Sequence, residues 1–334
     1  MKSKRTQLNR GSFGTNMPRT LIMSGVIFFT IFTSARFAQS ATQTRQQGAA
    51  KVGILLLAHG GRQGWNEEVT KLAAQVNQTA PVEVAFGMAT KRTMQQAVNR
   101  LVARGVSEIV AVPLFVSSHS SVITSTQYLL GQRADAPPDL KVFARMDHGH
   151  GDEHDHTSMT DASFDPLSPV KSPIPIRMSA ALDRSPVVAD ILLARAQAIS
   201  QEPAREVVVL VAHGPVPDDE NAKWLADMAS LAEQMRGASK FKRIEYLTVR
   251  DDAGEPVRSQ AAAELRKVVE RASAEGSRVL IVPLLLSYGG IEPGIRKRLD
   301  GLTYTMADHG LLPDERLARW VLLMAGLESV ALEH

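Results

Sequence analysis

Two stretches of this 334-residue chain repeat one another, and that repetition constrains the fold more than any other feature. The first runs Val52-Gly53-Ile54-Leu55-Leu56-Leu57-Ala58-His59-Gly60, the second Val207-Val208-Val209-Leu210-Val211-Ala212-His213-Gly214. A continuous apolar run of this length, rich in β-branched residues, is the pattern of a strand buried on both faces of a parallel sheet. Each run ends in Ala-His-Gly and leads into helical spacing. After the first, Val69, Leu72, Ala73 and Val76 recur on one face and Pro81 follows; after the second, Trp224, Leu225, Met228, Leu231 and Met235 do the same.

The correspondence continues downstream. Thr93 is expected to cap a helix carrying Met94, Ala97, Val98, Leu101 and Val102, with Gly105 just past its end. A second buried strand, Ile109 to Val116, contains Val112-Pro113-Leu114. The later repeat offers Leu265, Val268 and Val269, then Gly276, then a strand from Val279 to Leu286 containing Val282-Pro283-Leu284. Proline inside a buried strand normally demotes it to an edge. Its presence at matching places points to duplication and to a shared irregularity near the strand end.

Strand–helix alternation implies parallel sheets with right-handed crossovers. The expected fold class is therefore α/β, as two tandem doubly wound parallel-sheet domains over residues 50–200 and 205–330, a size at which two domains are the natural prior. Ala134 to Pro175 reads as a surface loop, Ile176 to Leu182 as one more strand, and Val187 to Ile199 as the first domain's closing helix. The boundary is then expected near Gln201 to Arg205.

The net charge of +3 does not signal a nucleic-acid partner. Residues 1–41 hold six basic residues and no acid, so residues 42–334 carry a net −3. That segment reads as a secretory signal: Arg19 flanks the apolar run Leu21 to Thr33, and Ala38-Gln39-Ser40 before Ala41 is a small-x-small cleavage site. The expectation is export, in a periplasmic setting, with an uncleaved membrane anchor as the alternative. No other stretch is long and apolar enough to span a bilayer. The absence of cysteine excludes disulfides, thiolate ligands and cysteine nucleophiles.

In an open parallel sheet, ligands bind beyond the carboxyl ends of the strands. His59 and His213 sit there after the first strand of each repeat. His119, in Ser117-Ser118-His119-Ser120-Ser121, follows the Val-Pro-Leu strand of the first repeat. His59 and His119 are thus placed to share one crevice as paired imidazole ligands with open positions for a substrate; the plainer alternative for His59 alone is a strand-end histidine bonded to a nearby loop. In the second repeat Gly289 stands six residues after Pro283, where the first repeat has His119 six after Pro113, so the first repeat is the expected catalytic one and His213 a secondary candidate.

Other chemistries fit poorly. Gly60-Gly61 lacks the dinucleotide spacing and the P-loop lysine. His-Gly-Gly lacks a Gly-x-Ser-x-Gly elbow to serve as an oxyanion loop. Histidine phosphatases place arginine directly before the histidine, where this chain has Ala58 and Ala212.

Leu56-Leu57-Ala58-His59-Gly60-Gly61-Arg62, Asn66, Ala85-Phe86 and Val112-Pro113-Leu114-Phe115-Val116-Ser117 together resemble the class II chelatases, the sirohydrochlorin cobaltochelatase and ferrochelatase (CbiX-like) family, in a tandem-repeat form. The resemblance implies that His59 and His119 hold a metal over a tetrapyrrole ring and are the catalytic residues. The metal ion is then substrate: Co²⁺ first, with Ni²⁺, Fe²⁺ or Zn²⁺ also compatible with a site lacking thiolates. The partner is the tetrapyrrole, with no nucleic acid and no membrane beyond the signal segment. The chain departs from the family in having Gly87-Met88 where a glutamate often follows the Ala-Phe pair. The second histidine also lies a couple of residues closer to the strand proline than usual. Arg62 or Arg92 is a candidate for pairing with substrate carboxylates.

A separate tract at residues 147–156 interleaves His148, His150, His154 and His156 with acids (DHGHGDEHDH), either a metal-collecting loop or an incidental polar one. His309 reads as structural and His334 is terminal. Ser287 to Glu292 reads as a glycine turn, with a seat for a ligand edge as the alternative. The alternative to a chelatase is an exported metal- or tetrapyrrole-binding protein on the same fold without turnover.

Overall fold

The computed structural model describes residues 51–146 and 164–328; the N-terminal segment, the His148–His156 tract and His334 lie outside them. The first half comprises β1 (Val52–Ala58), α1 (Gln63–Val76), β2 (Val82–Phe86), α2 (Lys91–Ala103), β3 (Glu108–Leu114), α3 (Ser121–Leu129), α4 (Leu140–Met146), β4 (Ile176–Met178) and α5 (Pro186–Ile199). The second comprises β5 (Glu206–Ala212), α6 (Asp218–Gly237), β6 (Arg243–Thr248), α7 (Val257–Ala274), β7 (Arg278–Leu284), α8 (Glu292–Arg298), β8 (Thr305–Met306) and α9 (Arg316–Met324). Two parallel sheets result, ordered β2-β1-β3-β4 and β6-β5-β7-β8. The fold class is the α/β, doubly wound, duplicated one. Among the described residues no helix is long and apolar enough to cross a membrane.

Strand periodicity of two divides each sheet between two cores. Even-numbered residues of the central strands (Ile54, Leu56, Val110 and Val112; Val208, Leu210, Leu280 and Val282) enter a core that also takes in α1, α5, α6 and α9. Odd-numbered residues face outward. Leu55, Leu57, Ile109 and Ala111 meet α2, α3 and α4, whereas Val207, Val209, Val279 and Ile281 meet α7 and α8. The inner core is common to both halves: α5 packs on β7 and α6, and α9 packs on α1. The Arg177 guanidinium adds a polar tie, donating to the Ala325 carbonyl at 2.8 Å.

The repeated proline now has a physical explanation. Ile109 N–H donates to Pro175 and Ser179 N–H donates to the Ala111 carbonyl, so odd-numbered positions of β3 address β4. Pro113 is the next odd position, but β4 pairs only as far as Ala111. Its missing N–H therefore faces a side from which the neighbouring strand has withdrawn, while Val112 and Leu114 keep β3 paired to β1. Pro283 repeats the arrangement, since β8 pairs β7 only at Leu280 and Ile281.

Three expectations are corrected. The stretch from Ala134 to Pro175 is not all loop: α4 forms within it because Leu140 and Phe143 reach the outer core. The strand expected over Ile176 to Leu182 stops at Met178. Thr93 is not an N-cap; α2 begins two residues earlier, and the Thr93 hydroxyl donates to the Phe86 carbonyl at 2.7 Å.

Glu206 opens β5 at 1% exposure. Burial alone would push its carboxyl up, but donation from the Ser200 hydroxyl, the Gln201 N–H and the Arg278 guanidinium (2.7 Å) outweighs that and holds it below the usual range. Its stabilising contribution is therefore full above the ordinary glutamate range and disappears as pH falls through the lowered value. We expect Glu206→Gln to cost about 1–3 kcal/mol near neutrality. The gap in melting temperature from wild type should narrow as pH falls below the ordinary glutamate range; a gap that is constant with pH would contradict this.

Candidate metal site

The apolar run of β1 ends at Ala58 because the chain must turn out of the sheet there. Gly60 makes the turn at φ +80°, a conformation that favours glycine. The Gly61 N–H is taken by the Asn66 side chain at 2.8 Å and the Ala58 carbonyl by the Gly87 N–H at 2.9 Å, so the turn is fixed from both sides. His59 is exposed at this edge, and its Nδ1 lies 2.7 Å from the Gly60 carbonyl. A carbonyl can only accept, so Nδ1 carries the proton. That leaves Nε2 as the ring nitrogen available to a metal.

His119 reaches the same edge of the same sheet. Ala58 of β1 and Leu114 of β3 are register partners on strands about 4.8 Å apart. Beyond Leu114 the Ser-Ser-His-Ser loop is held by Asp183, whose carboxylate accepts both the N–H and the hydroxyl of Ser118, the latter at 2.7 Å. Asp183 itself adopts φ +42°, which aspartate tolerates better than most residues. The His119 N–H donates to the Ser117 hydroxyl at 3.1 Å, and Ser120 caps α3. His119 is exposed and oriented from outside its own half: its carbonyl accepts the Trp224 indole N–H at 2.8 Å, and its Nε2 stands 3.9 Å from the Asp227 carboxylate.

These α6 partners, with Glu220, are functional candidates that the sequence reading did not select. Burial first, then the neighbouring Asp183, pushes the Asp227 carboxyl up; burial, then Asp219 and Asp139, does the same for Glu220. The edge thus combines imidazoles with carboxyl groups held above their usual range. Among the described residues no group of three or more His, Asp or Glu side chains converges on a common metal position.

His213 occupies the matching turn of the second sheet, but its surroundings differ. Its Nε2 lies 3.4 Å from Asp252, and its carbonyl accepts the Arg250 N–H at 2.7 Å. The Arg250 guanidinium is clamped into the turn that follows, against Asp218 (2.7 Å) and the carbonyls of Pro215 and Val216. The Arg250 charge is paired with Asp218 and Asp252 stands beside the ring, so what separates this turn from the first is that Gly289, and not a histidine, follows β7. The loop after β7 is also self-satisfied, because the buried Glu292 carboxylate accepts the N–H groups of Gly289 and Gly290, each at 2.9 Å. Glycine here serves that turn.

Of the two arginines, Arg62 is exposed beside the His59 turn, whereas Arg92 stacks on the Phe164 ring at 4.7 Å. A groove of about 680 Å³ runs along the second sheet's edge, between α6, β6 and α7. Tyr246, Thr248, Arg250 and Gln260 line it and no histidine does, so its size alone carries no chemistry.

Comparison with known proteins bears on the same half. Residues 53–199 match the CbiX family model. Over 84 residues the chain is 33% identical to the sirohydrochlorin cobaltochelatase of Methanothermobacter thermautotrophicus, a match covering 24% of this chain and 59% of that protein's length. Two solved structures of SirB from Bacillus subtilis share the fold. The one with Fe³⁺ superposes at a TM-score of 0.53 and 17% identity, covering 83% of this chain and 94% of that one. The one in complex with cobalt gives 0.51 and 16% over the same shares.

Proposed function

Because residues 53–199 are CbiX-like, we propose that this protein is a chelatase that inserts a divalent cation into a sirohydrochlorin-type tetrapyrrole, using His59 and His119. The observation that carries the reading is the His59 ring at the carboxyl edge of β1, whose Nδ1 is bonded to the Gly60 carbonyl so that Nε2 is left for a cation. His119 stands at the same edge, beyond β3.

The chemistry asks little more of the protein. A free-base ring gives up two N–H protons as the cation leaves its water shell and enters. A neutral imidazole can hold the cation on one face through its single free lone pair, and once the cation has passed into the ring that lone pair can take one of the displaced protons. Two protein ligands leave coordination positions open for the macrocycle. Arg62, at the mouth, suits a substrate carboxylate. Co²⁺ is the preferred ion, supported by the named activity of the Methanothermobacter relative and by cobalt in a SirB structure. Fe²⁺, Ni²⁺ and Zn²⁺ remain chemically suitable. The basic, apolar character of residues 1–41 supports the further proposal that the chain works outside the cytoplasm.

The test is direct. Purified protein is mixed with sirohydrochlorin and Co²⁺, Ni²⁺ or Fe²⁺, and the visible spectrum of the ring is followed. We expect insertion faster than the uncatalysed reaction, greatest with Co²⁺; no acceleration with any of the ions would overturn the proposal. A second reading is favoured by Gly87-Met88, which leaves no carboxylate where the family often has one: a carrier without turnover. Stoichiometric metal binding that survives loss of both His59 and His119, but not deletion of residues 148–156, would select it.

A further inference from the structure

Helix α6 belongs to the second half, yet one of its faces covers the loop that carries His119. Glu220, Trp224 and Asp227 recur at i, i+4 and i+7 and so share that face. Trp224 grips the His119 carbonyl at 2.8 Å, which fixes the backbone of the loop. One turn further on, Asp227 Oδ2 stands 3.9 Å from His119 Nε2. That oxygen is buried, and no hydrogen bond reaches it from the described residues.

A buried carboxylate oxygen without a donor is destabilising, and packing does not account for it. Asp227 directly precedes Met228, which with Leu231 and Met235 forms the apolar stripe of the same helix. The groups bearing on it are Asp183, His119 and Arg184. Asp183 repels it, and the exposed Arg184 follows the residue that holds the His119 loop. His119 brings its Nε2 to 3.9 Å from it.

We propose that Asp227 is a positioning residue for His119. Its carboxylate draws the imidazole N–H to Nε2 and fixes the ring, which leaves Nδ1 with its lone pair for an incoming cation. Backing a ligating imidazole with a carboxylate is a general device for setting tautomer and orientation. What is particular here is the source. The second repeat has glycine where the first has its loop histidine, yet its first helix supplies the outer layer of the first repeat's site. The inference rests on His119 being a ligand, as proposed above.

The test uses the full chain and Co²⁺ alone, with affinity read by competition against a chromophoric chelator. Asp227→Ala should weaken Co²⁺ binding by roughly ten- to a hundredfold, and Asp227→Asn, which keeps the shape but not the charge, by less. Placed on a His119→Ala background, Asp227→Ala should cost nothing further, because its effect passes through the missing ring. The same loss on both backgrounds, or no loss on the wild-type background, overturns the inference. If Asp227→Ala does not fold by circular dichroism, the isosteric Asp227→Asn carries the same comparison. Should His119→Ala itself leave Co²⁺ affinity unchanged, the ligand assignment falls and this inference with it. Should His119→Ala weaken binding while both Asp227 variants match wild type, only the positioning role falls.

Discussion

His59→Ala should slow Co²⁺ insertion into sirohydrochlorin by at least about a hundredfold, equivalent to about 2.7 kcal/mol of transition-state stabilisation. The substitution removes two functions at once. With Nδ1 tied to the Gly60 carbonyl, it deletes the one lone pair that can first hold the cation and then, once the cation has passed to the macrocycle, receive a ring proton. The side chain is exposed, and Gly60, Asn66 and Gly87 hold the turn through groups other than the imidazole. The variant should therefore fold and melt close to wild type, so that a lost rate reads as lost chemistry. His213→Ala makes the informative contrast. Gly289 stands in the second repeat where the first has His119, and the rate of this variant should stay close to wild type. Stopped-flow spectra of the two variants side by side decide the matter. An undiminished rate in His59→Ala would move the chemistry to another part of the chain.

The second large effect is on stability. Trp320→Ala should cost about 3–5 kcal/mol, the range for removing a fully buried large aromatic. Trp320 is 2% exposed and belongs to the core common to both sheets. Its helix, α9, lies against α1 and α5. At roughly 2–4 °C per kcal/mol for a chain of this size, the melting temperature should fall by about 10 °C. With both sheets sharing that core, circular dichroism and intrinsic fluorescence should lose signal together in one transition. A biphasic melt, with the first half surviving the second, would show that the common core is weaker than its burial implies. Below the lowered melting temperature, Co²⁺ insertion should remain near wild type.

Much of this architecture was legible in the sequence. Continuous apolar runs such as Ile54 to Ala58 and Val207 to Ala212 identify strands covered on both faces, and Ala-His-Gly marks where they end. The doubled Val-Pro-Leu pointed to an irregularity. Its cause, a neighbouring strand that stops two residues short, depends on pairing that no local pattern encodes. Helix α4 leaves no such mark, because only Leu140 and Phe143 tie it to the core, too few for a visible period. At the site, His59 and His119 could be selected because each is a polar group placed directly after an apolar strand. Asp227 and Trp224 could not. They lie about a hundred residues from His119, on a helix whose visible pattern (Trp224, Leu225, Met228, Leu231 and Met235) reads as a core face, and only the docking of one half on the other makes them neighbours. An aspartate next to a helix's apolar stripe is the one signal that was there to be read.

The packing of α9 against α1 also sets an order of events during synthesis. The first half emerges from the ribosome with its leading helix still missing the partner that will cover it. That partner is the last helix of the described chain to be translated. Nascent chains halted anywhere before residues 316–324 would hold an apolar flank of α1 open to solvent or to a chaperone. A fragment carrying both histidines would still lack the helix that closes over the one beginning just after His59.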